Sequence, residues 1–314
     1  MYNLKNKNFF LNLVYKLTFG LVRKIYFYSR KAFLYLTINK FPRIYRPDSI
    51  PYISGDSFRA KSDHIHDESM KLNPYKVNEN DLVFLNADFF VDYFENIHPK
   101  INHNYVLITH NSDVDIDDSL EKYFDEKIIK CYSQNLSILN NPKLNFLPVG
   151  LENRRHLKNG IKSHFKKAKY SYTTNKQTKI ISAFNKFTAL DEREELDNLI
   201  KNFEIIDILP PVNHKKYMDA LSKYKFALCP LGNGPDTHRL WEALMVCTIP
   251  VMINCNFTKN LVLNGIPVLV VDSWSEISDI TPDYLEIFYK QHIDKESIDL
   301  LTSFKFWYEK IRTL

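Results

Sequence analysis

The chain has 314 residues, of which 45% are hydrophobic and 14% aromatic, so it can bury a sizeable core and is long enough for two domains of ordinary size. This composition excludes a disordered or fibrous protein. The four cysteines lack the close paired spacing of a zinc site or a redox motif, and we expect them to be reduced, buried thiols.

The positive charge is concentrated at the N-terminal end. Residues 1–46 contain ten Lys or Arg and no Asp or Glu, and these cations alternate with bulky apolar side chains. The longest uncharged run is shorter than the ~18 to 20 residues of a membrane span, and no secretory cleavage site follows. We therefore predict a basic amphipathic helical extension over residues 1–47. Its residues 1–46 would bind an anionic membrane surface and hold the protein peripherally on the cytoplasmic side; a helix packed on the protein's own domain is the alternative. No basic face continues into the main body, so nucleic acid is not an expected partner.

Short β-rich runs alternate with amphipathic helical runs in residues 48–152, which we predict to form the first domain. Such alternation indicates parallel strands with helical crossovers, and hence an open α/β sheet. The predicted strands are 82–85, 105–109, 128–132 and 145–149, and the predicted helices are 89–97 and 120–124.

Residues 153–177 are polar and basic with few apolar positions, which predicts a linker. A second α/β set follows in residues 178–314 and closes with helices between about residues 282 and 312. Two consecutive Rossmann-like domains are thus expected, with ligands bound in the cleft beyond the carboxyl ends of the strands. The predicted strands here are 179–184, 204–208, 226–229, 249–253 and 267–271, and the helices are 190–203, 214–222 and 237–246.

The most informative segment runs from Tyr224 to Ile253: an apolar strand, a loop, a helix and a second apolar strand. The loop contains two of the seven glycines of the chain, Gly232 and Gly234. Glycine there would let the backbone approach a ligand closely and adopt positive φ. The helix that follows presents free N–H groups and a positive dipole end to an anion. Pro235 suits the first helical turn, and Asp236 or Thr237 can cap it, so this segment predicts a diphosphate-binding site.

Two charged side chains on this helix, Arg239 and Glu242, are three residues apart and project from nearly the same face. The Arg can offset the charge that develops on a departing diphosphate, and the Glu can accept hydrogen bonds from ribose hydroxyls. Alternatively, the two side chains pair with each other on a solvated helix. Leu240 and Leu244 occupy the opposite face, which we expect to lie toward the core.

Residues 224–253 resemble the donor-binding signature of exostosin-like glycosyltransferases and, more distantly, of α1,3-fucosyltransferases, whose helix also ends in a Glu-Ala-Leu type run before a Pro-Val strand. The resemblance implies the GT-B fold, in which two Rossmann-like domains face a central cleft. It also implies a nucleotide-sugar donor, with Arg239 at the diphosphate and Glu242 at the ribose. The loop residues that would line the donor site are Asn233, Gly234, Asp236, Thr237 and His238.

Three polar segments of the first domain, 54–59, 108–113 and 148–154, each follow an apolar run, as loops at the mouth of a sheet do. They are similar to N-terminal domain loops of bacterial and viral exostosin-like proteins. Arg59 and Arg154 could meet the diphosphate from this wall of the cleft or pair with surface acids.

The same segments supply the candidates for the catalytic base, Asp113, His110 and Asp56, with Asp113 and His110 ranked above Asp56. An inverting transfer requires a base within hydrogen-bond reach of the acceptor hydroxyl. Each candidate has a structural alternative: Asp56 can shape a turn, Asp113 can cap the following helix, and His110 can be a satisfied core histidine.

The expected function is the transfer of a sugar from a nucleoside-diphosphate sugar to a glycan or lipid-linked acceptor in polysaccharide biosynthesis, with inversion and without a metal ion or other cofactor. Two alternatives stay open. The chain could be a non-catalytic nucleotide- or glycan-binding partner of another transferase, or a metal-dependent transferase in which Asp113 and Asp115 hold a divalent ion as an Asp-x-Asp pair.

Overall fold

Two five-stranded parallel β-sheets form the frame of the protein in the computed structural model. The structure describes residues 46–156, 158–170, 175–184 and 190–313, together with Ser29. Residues Arg46–Leu314 form one compact unit. The predicted basic N-terminal extension and its membrane-binding residues lie almost wholly outside the described residues. Nowhere in the described part of the chain is a helix both long and apolar enough to span a membrane.

The first sheet has its strands in the order of the sequence: β1 (His64–His66), β2 (Leu82–Asn86), β3 (Tyr105–His110), β4 (Ile128–Ser133) and β5 (Leu144–Phe146). Every residue of β2 and β3 is buried, as expected for apolar runs in a parallel sheet covered on both faces. The four predicted strands are confirmed as strands, although the last is shorter than predicted. Strand β1 was not predicted.

The second sheet has the order β10-β9-β8-β6-β7, in which β6 (Gln177–Ser182) lies between β7 (Ile206–Ile208) and β8 (Tyr224–Leu228). The chain therefore leaves β6 toward one side of the sheet and continues after β7 on the other. A crevice opens beyond the carboxyl ends of strands at such a switch point. The remaining strands are β9 (Ile249–Ile253) and β10 (Leu269–Val271).

Helices cover both sheets. One of them, α2 (Lys162–Tyr170), lies inside the polar segment 153–177 whose composition predicted only a linker. A composite helical segment at 87–100 combines short 3-10, α and π turns. The other α-helices are α1 (Gly55–Lys61), α3 (Leu190–Leu199), α4 (His214–Leu221), α5 (His238–Met245), α6 (Asn256–Leu263), α7 (Pro282–His292), α8 (Lys295–Leu301) and α9 (Phe304–Arg312).

The last helix, α9, packs on the half of the molecule that contains the first sheet, whereas α7 packs on the second sheet. The Trp307 ring of α9 lies 5.8 Å from the Phe146 ring of β5, and the Tyr132 hydroxyl donates to the Lys310 carbonyl at 2.9 Å. Phe146 also stacks on Trp241 of α5 at 6.1 Å. One continuous aromatic core therefore joins the two sheets and fixes the cleft between their carboxyl ends.

Candidate active site

Two adjoining cavities form the cleft, and both are lined by Thr237 and His238 at the start of α5. The first has a volume of about 660 Å³ and lies beyond the carboxyl ends of β6 and β7. The second, of about 610 Å³, lies between the loop 232–238 and the ends of β2, β3 and β4. Residues that the sequence assigned to a donor site and to an acceptor site thus meet in one cleft.

The loop before α5 is built differently from the prediction in two respects. The helix begins at His238 with Thr237 as N-cap residue and no side-chain cap, so Pro235 precedes the first turn and Asp236 does not cap it. Positive φ angles occur at other glycines of the described chain and not at Gly234. A Cβ at Gly234 would lie 2.7 Å from Asn135 Nδ2. Glycine is therefore needed for close packing against the first sheet's half, not for a left-handed turn.

Arg239 and Glu242 both line the first cavity, and Leu240 and Leu244 are fully buried behind them, as predicted. Arg239 Nη2 donates to the Ala183 carbonyl at 3.3 Å, and Glu242 is itself buried. The alternative of an ion pair on a solvated helix is therefore wrong. Arg239 Nε and Thr237 Oγ1 are buried atoms that have no hydrogen-bond partner among the described residues. An anion in the cleft would satisfy both.

Glu242 takes its hydrogen bond from a residue that the sequence analysis missed. The His214 Nε2 atom donates to Glu242 Oε1 at 2.9 Å, and His214 Nδ1 lies 3.0 Å from His164 Nδ1 on α2. Burial and the neighbouring Glu242 raise the pKa of Tyr217 well above its usual range. No sequence signal marked His164, because it lies in a segment that lacks the apolar spacing of a core helix.

The loop 232–238 is tied to the first half of the molecule by side-chain hydrogen bonds. Asn233 Nδ2 donates to Asp113 Oδ2 at 3.2 Å, and His238 Nδ1 lies 2.8 Å from the Gly150 carbonyl. Asn233 lines the second cavity and His238 lines both cavities, and these contacts connect the two walls of the cleft.

Asp236 makes the most buried of these ties. Its Oδ2 accepts from the Val149 backbone N–H at 2.7 Å and its Oδ1 from Trp241 Nε1 at 2.8 Å. Burial raises the pKa of this carboxyl to about 7 in spite of the two donors. Asp236 lines the second cavity, but both of its oxygens are engaged inside the protein, where the residue joins the halves of the molecule.

His110, one of the three predicted bases, is a buried histidine with both ring nitrogens engaged. Nε2 lies 3.1 Å from the Pro148 carbonyl, and Nδ1 accepts from the Asn111 backbone N–H at 2.7 Å. Burial lowers the pKa of His110 to about 4. A neutral ring with one donated and one accepted hydrogen bond leaves no lone pair for an acceptor hydroxyl, so the structural alternative describes His110.

The two aspartates among the predicted bases lie in opposite environments. Asp56 is fully buried on α1, not on the predicted loop; its Oδ1 accepts from Asn111 Nδ2 at 3.1 Å, and Oδ2 lies 3.7 Å from Arg155 Nε. Asp113 is exposed and lines the second cavity, as does Asp88. Of the three candidates, Asp113 is the one placed to reach a substrate in the cleft.

The arginines predicted for the opposite wall are engaged elsewhere. Arg59 Nε donates to Asp67 Oδ2 at 2.6 Å, Arg154 Nη1 donates to the Asp48 carbonyl at 3.0 Å, and neither side chain lines the two cavities. Arg155 and Arg193 line the second cavity instead. Arg193 is the one cation of α3 among several acidic residues, and this composition offers no signal that it turns inward.

The Asp-x-Asp pair is divided between two environments. Asp113 lines the second cavity, whereas Asp115 accepts from Ser137 Oγ at 2.6 Å and does not line it. In the described segments, no three His, Cys, Asp or Glu side chains come together as a metal-binding group.

The two parallel sheets, with a cleft beyond their strand ends, have the arrangement of the GT-B class. Residues 210–313, about a third of the chain, match the family model of the RXYLT1 C-terminal domain, which supports a glycosyltransferase. That family is related to the exostosins, so the exostosin-like resemblance is confirmed.

The chain is similar to several solved structures at low identity, among them the three that follow, and none of the curated proteins matches it in sequence. OtsA in its apo form is 8% identical, with 75% of this chain and 73% of that chain covered and a TM-score of 0.44. The UDP-forming α,α-trehalose-phosphate synthase of Burkholderia vietnamiensis is also 8% identical, with 77% and 73% covered and a TM-score of 0.43. The pneumococcal O-GlcNAc transferase GtfA with UDP and GlcNAc is 12% identical, with 75% and 57% covered and a TM-score of 0.34.

Proposed function

We propose that this glycosyltransferase moves a sugar from a nucleoside-diphosphate sugar to a hydroxyl of a glycan or lipid-linked acceptor in polysaccharide biosynthesis. One observation carries the proposal. At the start of α5, where the two cavities meet, Thr237 Oγ1 and Arg239 Nε are buried without a partner among the described residues. A diphosphate is the ligand that two such donors and a helix N-terminus together favour.

The nucleoside lies in the first cavity in this proposal. Glu242 Oε1 is held by His214, and Oε2 accepts the ribose hydroxyls. The segment after β7, residues 209–212, contributes apolar groups to the cavity wall, against which a nucleobase can pack.

The sugar and the acceptor lie in the second cavity. Asp113 removes the proton of the acceptor hydroxyl as its oxygen attacks the anomeric carbon, and the bond from that carbon to the diphosphate breaks on the opposite side, which inverts the configuration. Arg239 and the amides at the start of α5 offset the charge of the departing diphosphate. These groups belong to the chain itself, so the proposed step requires no metal ion.

Nucleotide binding tests the proposal. We expect UDP or GDP to raise the melting temperature of the protein. Glu242→Gln should lower the affinity for that nucleotide about tenfold, because a neutral amide is a poorer acceptor than a carboxylate. Glu309→Gln on the exposed face of α9 is the matched control and should bind as the unchanged protein does.

The same preparation separates catalysis from mere binding. Slow release of nucleotide from a nucleotide sugar supports a transferase, and binding without release supports the non-catalytic alternative. If no nucleoside diphosphate binds, or if Glu242→Gln binds equally well, the donor site proposed here is wrong.

We also propose that residues 1–46 hold the protein peripherally on the anionic, cytoplasmic surface of a membrane, on the strength of their charge alone. The protein should co-sediment with vesicles containing phosphatidylserine and should dissociate as salt is raised. Exchange of Lys16, Arg23, Lys24, Arg30 and Lys31 for Gln should abolish the binding. Equal co-sedimentation of that variant would refute the proposal.

A further inference from the structure

Three side chains from three different helices, two of them buried and the third, His164, half-buried, form a hydrogen-bonded line that ends in the first cavity. Glu242 of α5 contacts His214 at the start of α4, and His214 contacts His164 of α2. The side chains of Glu242 and His214 are only 8% and 7% exposed. The line therefore connects the proposed donor site with residues 153–177, the segment predicted to be a linker.

The contacts determine where the hydrogens lie. A carboxylate can only accept, so His214 Nε2 carries the hydrogen that bonds Glu242 Oε1. In a neutral ring His214 Nδ1 is then an acceptor, and the 3.0 Å contact requires His164 Nδ1 to donate to it. His164 is thereby held in its Nδ1–H tautomer and His214 in its Nε2–H tautomer.

We propose that His214 is a positioning residue for Glu242 and that His164 sets the tautomer in which His214 can act. The inference rests on the proposed function. His214 turns Glu242 so that Oε1 stays inside the protein and Oε2 faces the nucleoside. Because His164 donates to His214 Nδ1, that nitrogen carries no hydrogen. The hydrogen of His214 is therefore on Nε2, where it is donated to Glu242.

Packing keeps the line in place. The His164 and His214 rings stack at 5.3 Å, and the Phe165 ring meets His214 edge-on at 5.2 Å. Rotation of the His214 ring would break contacts on two sides. Burial, His214 and the neighbouring Lys215 lower the pKa of His164, with Asp219 acting in the opposite direction, which favours the neutral ring of His164.

The connecting segment therefore takes part in the donor site. His164 completes the line from α2, and Asn159 from the same segment lines the first cavity. Residues 159 and 164 precede β6, so the wall of the nucleoside pocket is not built from the second sheet and its helices alone.

Nitrogen-15 NMR of the histidine rings tests the tautomers without any ligand. In the full-length protein at neutral pH, we expect His214 to show a protonated Nε2 and a bare Nδ1, and His164 to show a protonated Nδ1. Single replacements of each histidine assign the signals. A His214 ring protonated at Nδ1 and bare at Nε2 would overturn the inference, whether or not a nucleotide binds.

Paired substitutions test the positioning role. His214→Gln places an amide N–H close to the position of Nε2 and should bind the nucleotide that stabilises the unchanged protein within about threefold. His214→Asn reaches only the position of Nδ1 and should weaken binding about tenfold, the loss expected for one hydrogen bond to a charged group. The Asn side chain of His164→Asn can still donate a hydrogen bond to His214, so this variant should bind the nucleotide more tightly than His164→Leu does.

Exposed His103→Asn is the control and should change nothing. A melting temperature for each variant separates lost binding from lost folding. Equal affinity of His214→Gln and His214→Asn, in folded protein, would refute the positioning role alone. Failure of the unchanged protein to bind UDP or GDP would instead refute the proposed donor site, and with it this role of the line.

Discussion

Replacing Asp113 with Asn should lower kcat about a thousandfold while leaving donor affinity within about twofold. Asn keeps the shape of the side chain and can still accept from Asn233, which donates to Asp113 Oδ2 at 3.2 Å. What the amide cannot do is take the proton of an acceptor hydroxyl. The measurement is steady-state transfer from the donor found in the nucleotide screen, together with the affinity of the nucleotide alone.

Two neighbouring carboxylates make this test specific. Asp115→Asn, two residues further along, changes a side chain that bonds Ser137 and does not line the cavity, so its turnover should match that of the unchanged protein. Asp88 lines the second cavity and accepts from Ser112 Oγ at 2.6 Å. Full turnover in Asp113→Asn together with a collapse in Asp88→Asn would move the role of base to Asp88.

The sequence predicted the strands and the face of α5 because both depend on local spacing. The apolar runs 82–85 and 105–109 are short and rich in β-branched and aromatic residues, which favours buried strands of a covered sheet. Arg239 and Glu242 share one face of α5 with the leucines opposite, whatever the rest of the fold does. Where periodicity was absent, as in 153–177, helix α2 and its His164 could not be found.

The roles of individual polar residues were harder to predict, because they depend on contacts between distant parts of the chain. The sequence places Asp236 in a ligand-binding loop, but in the structure its two carboxylate oxygens accept hydrogen bonds from Val149 and Trp241. His110 was ranked high among the bases from its residue type and position. Its ring is instead satisfied by Pro148 and Asn111, contacts that no local pattern encodes.

Asp236→Ala should destabilise the protein by about 4 kcal/mol, the largest stability loss we expect from one side chain in the cleft. The change leaves the Val149 N–H and the Trp241 indole N–H buried without an acceptor, and each unsatisfied donor costs about 1–3 kcal/mol, with a further contribution from the cavity. The melting temperature should fall by roughly 10 °C. Thermal and urea unfolding both measure the loss.

A double-mutant cycle shows whether the hydrogen bond is the cause. Trp241→Phe removes the indole donor and keeps a large ring beside Phe146, so the loss from Asp236→Ala should be smaller by about 1 kcal/mol or more in that background. Exposed Asp283→Ala at the start of α7 controls for removal of a carboxylate as such and should shift the melting temperature little. Strictly additive losses in the cycle would mean that the Asp236–Trp241 hydrogen bond is not the cause, and the loss would then be assigned to the bond with Val149, which connects the two halves. If the free energy of unfolding of Asp236→Ala falls by less than about 1 kcal/mol, the buried carboxyl is not needed to hold together the two halves that form the cleft.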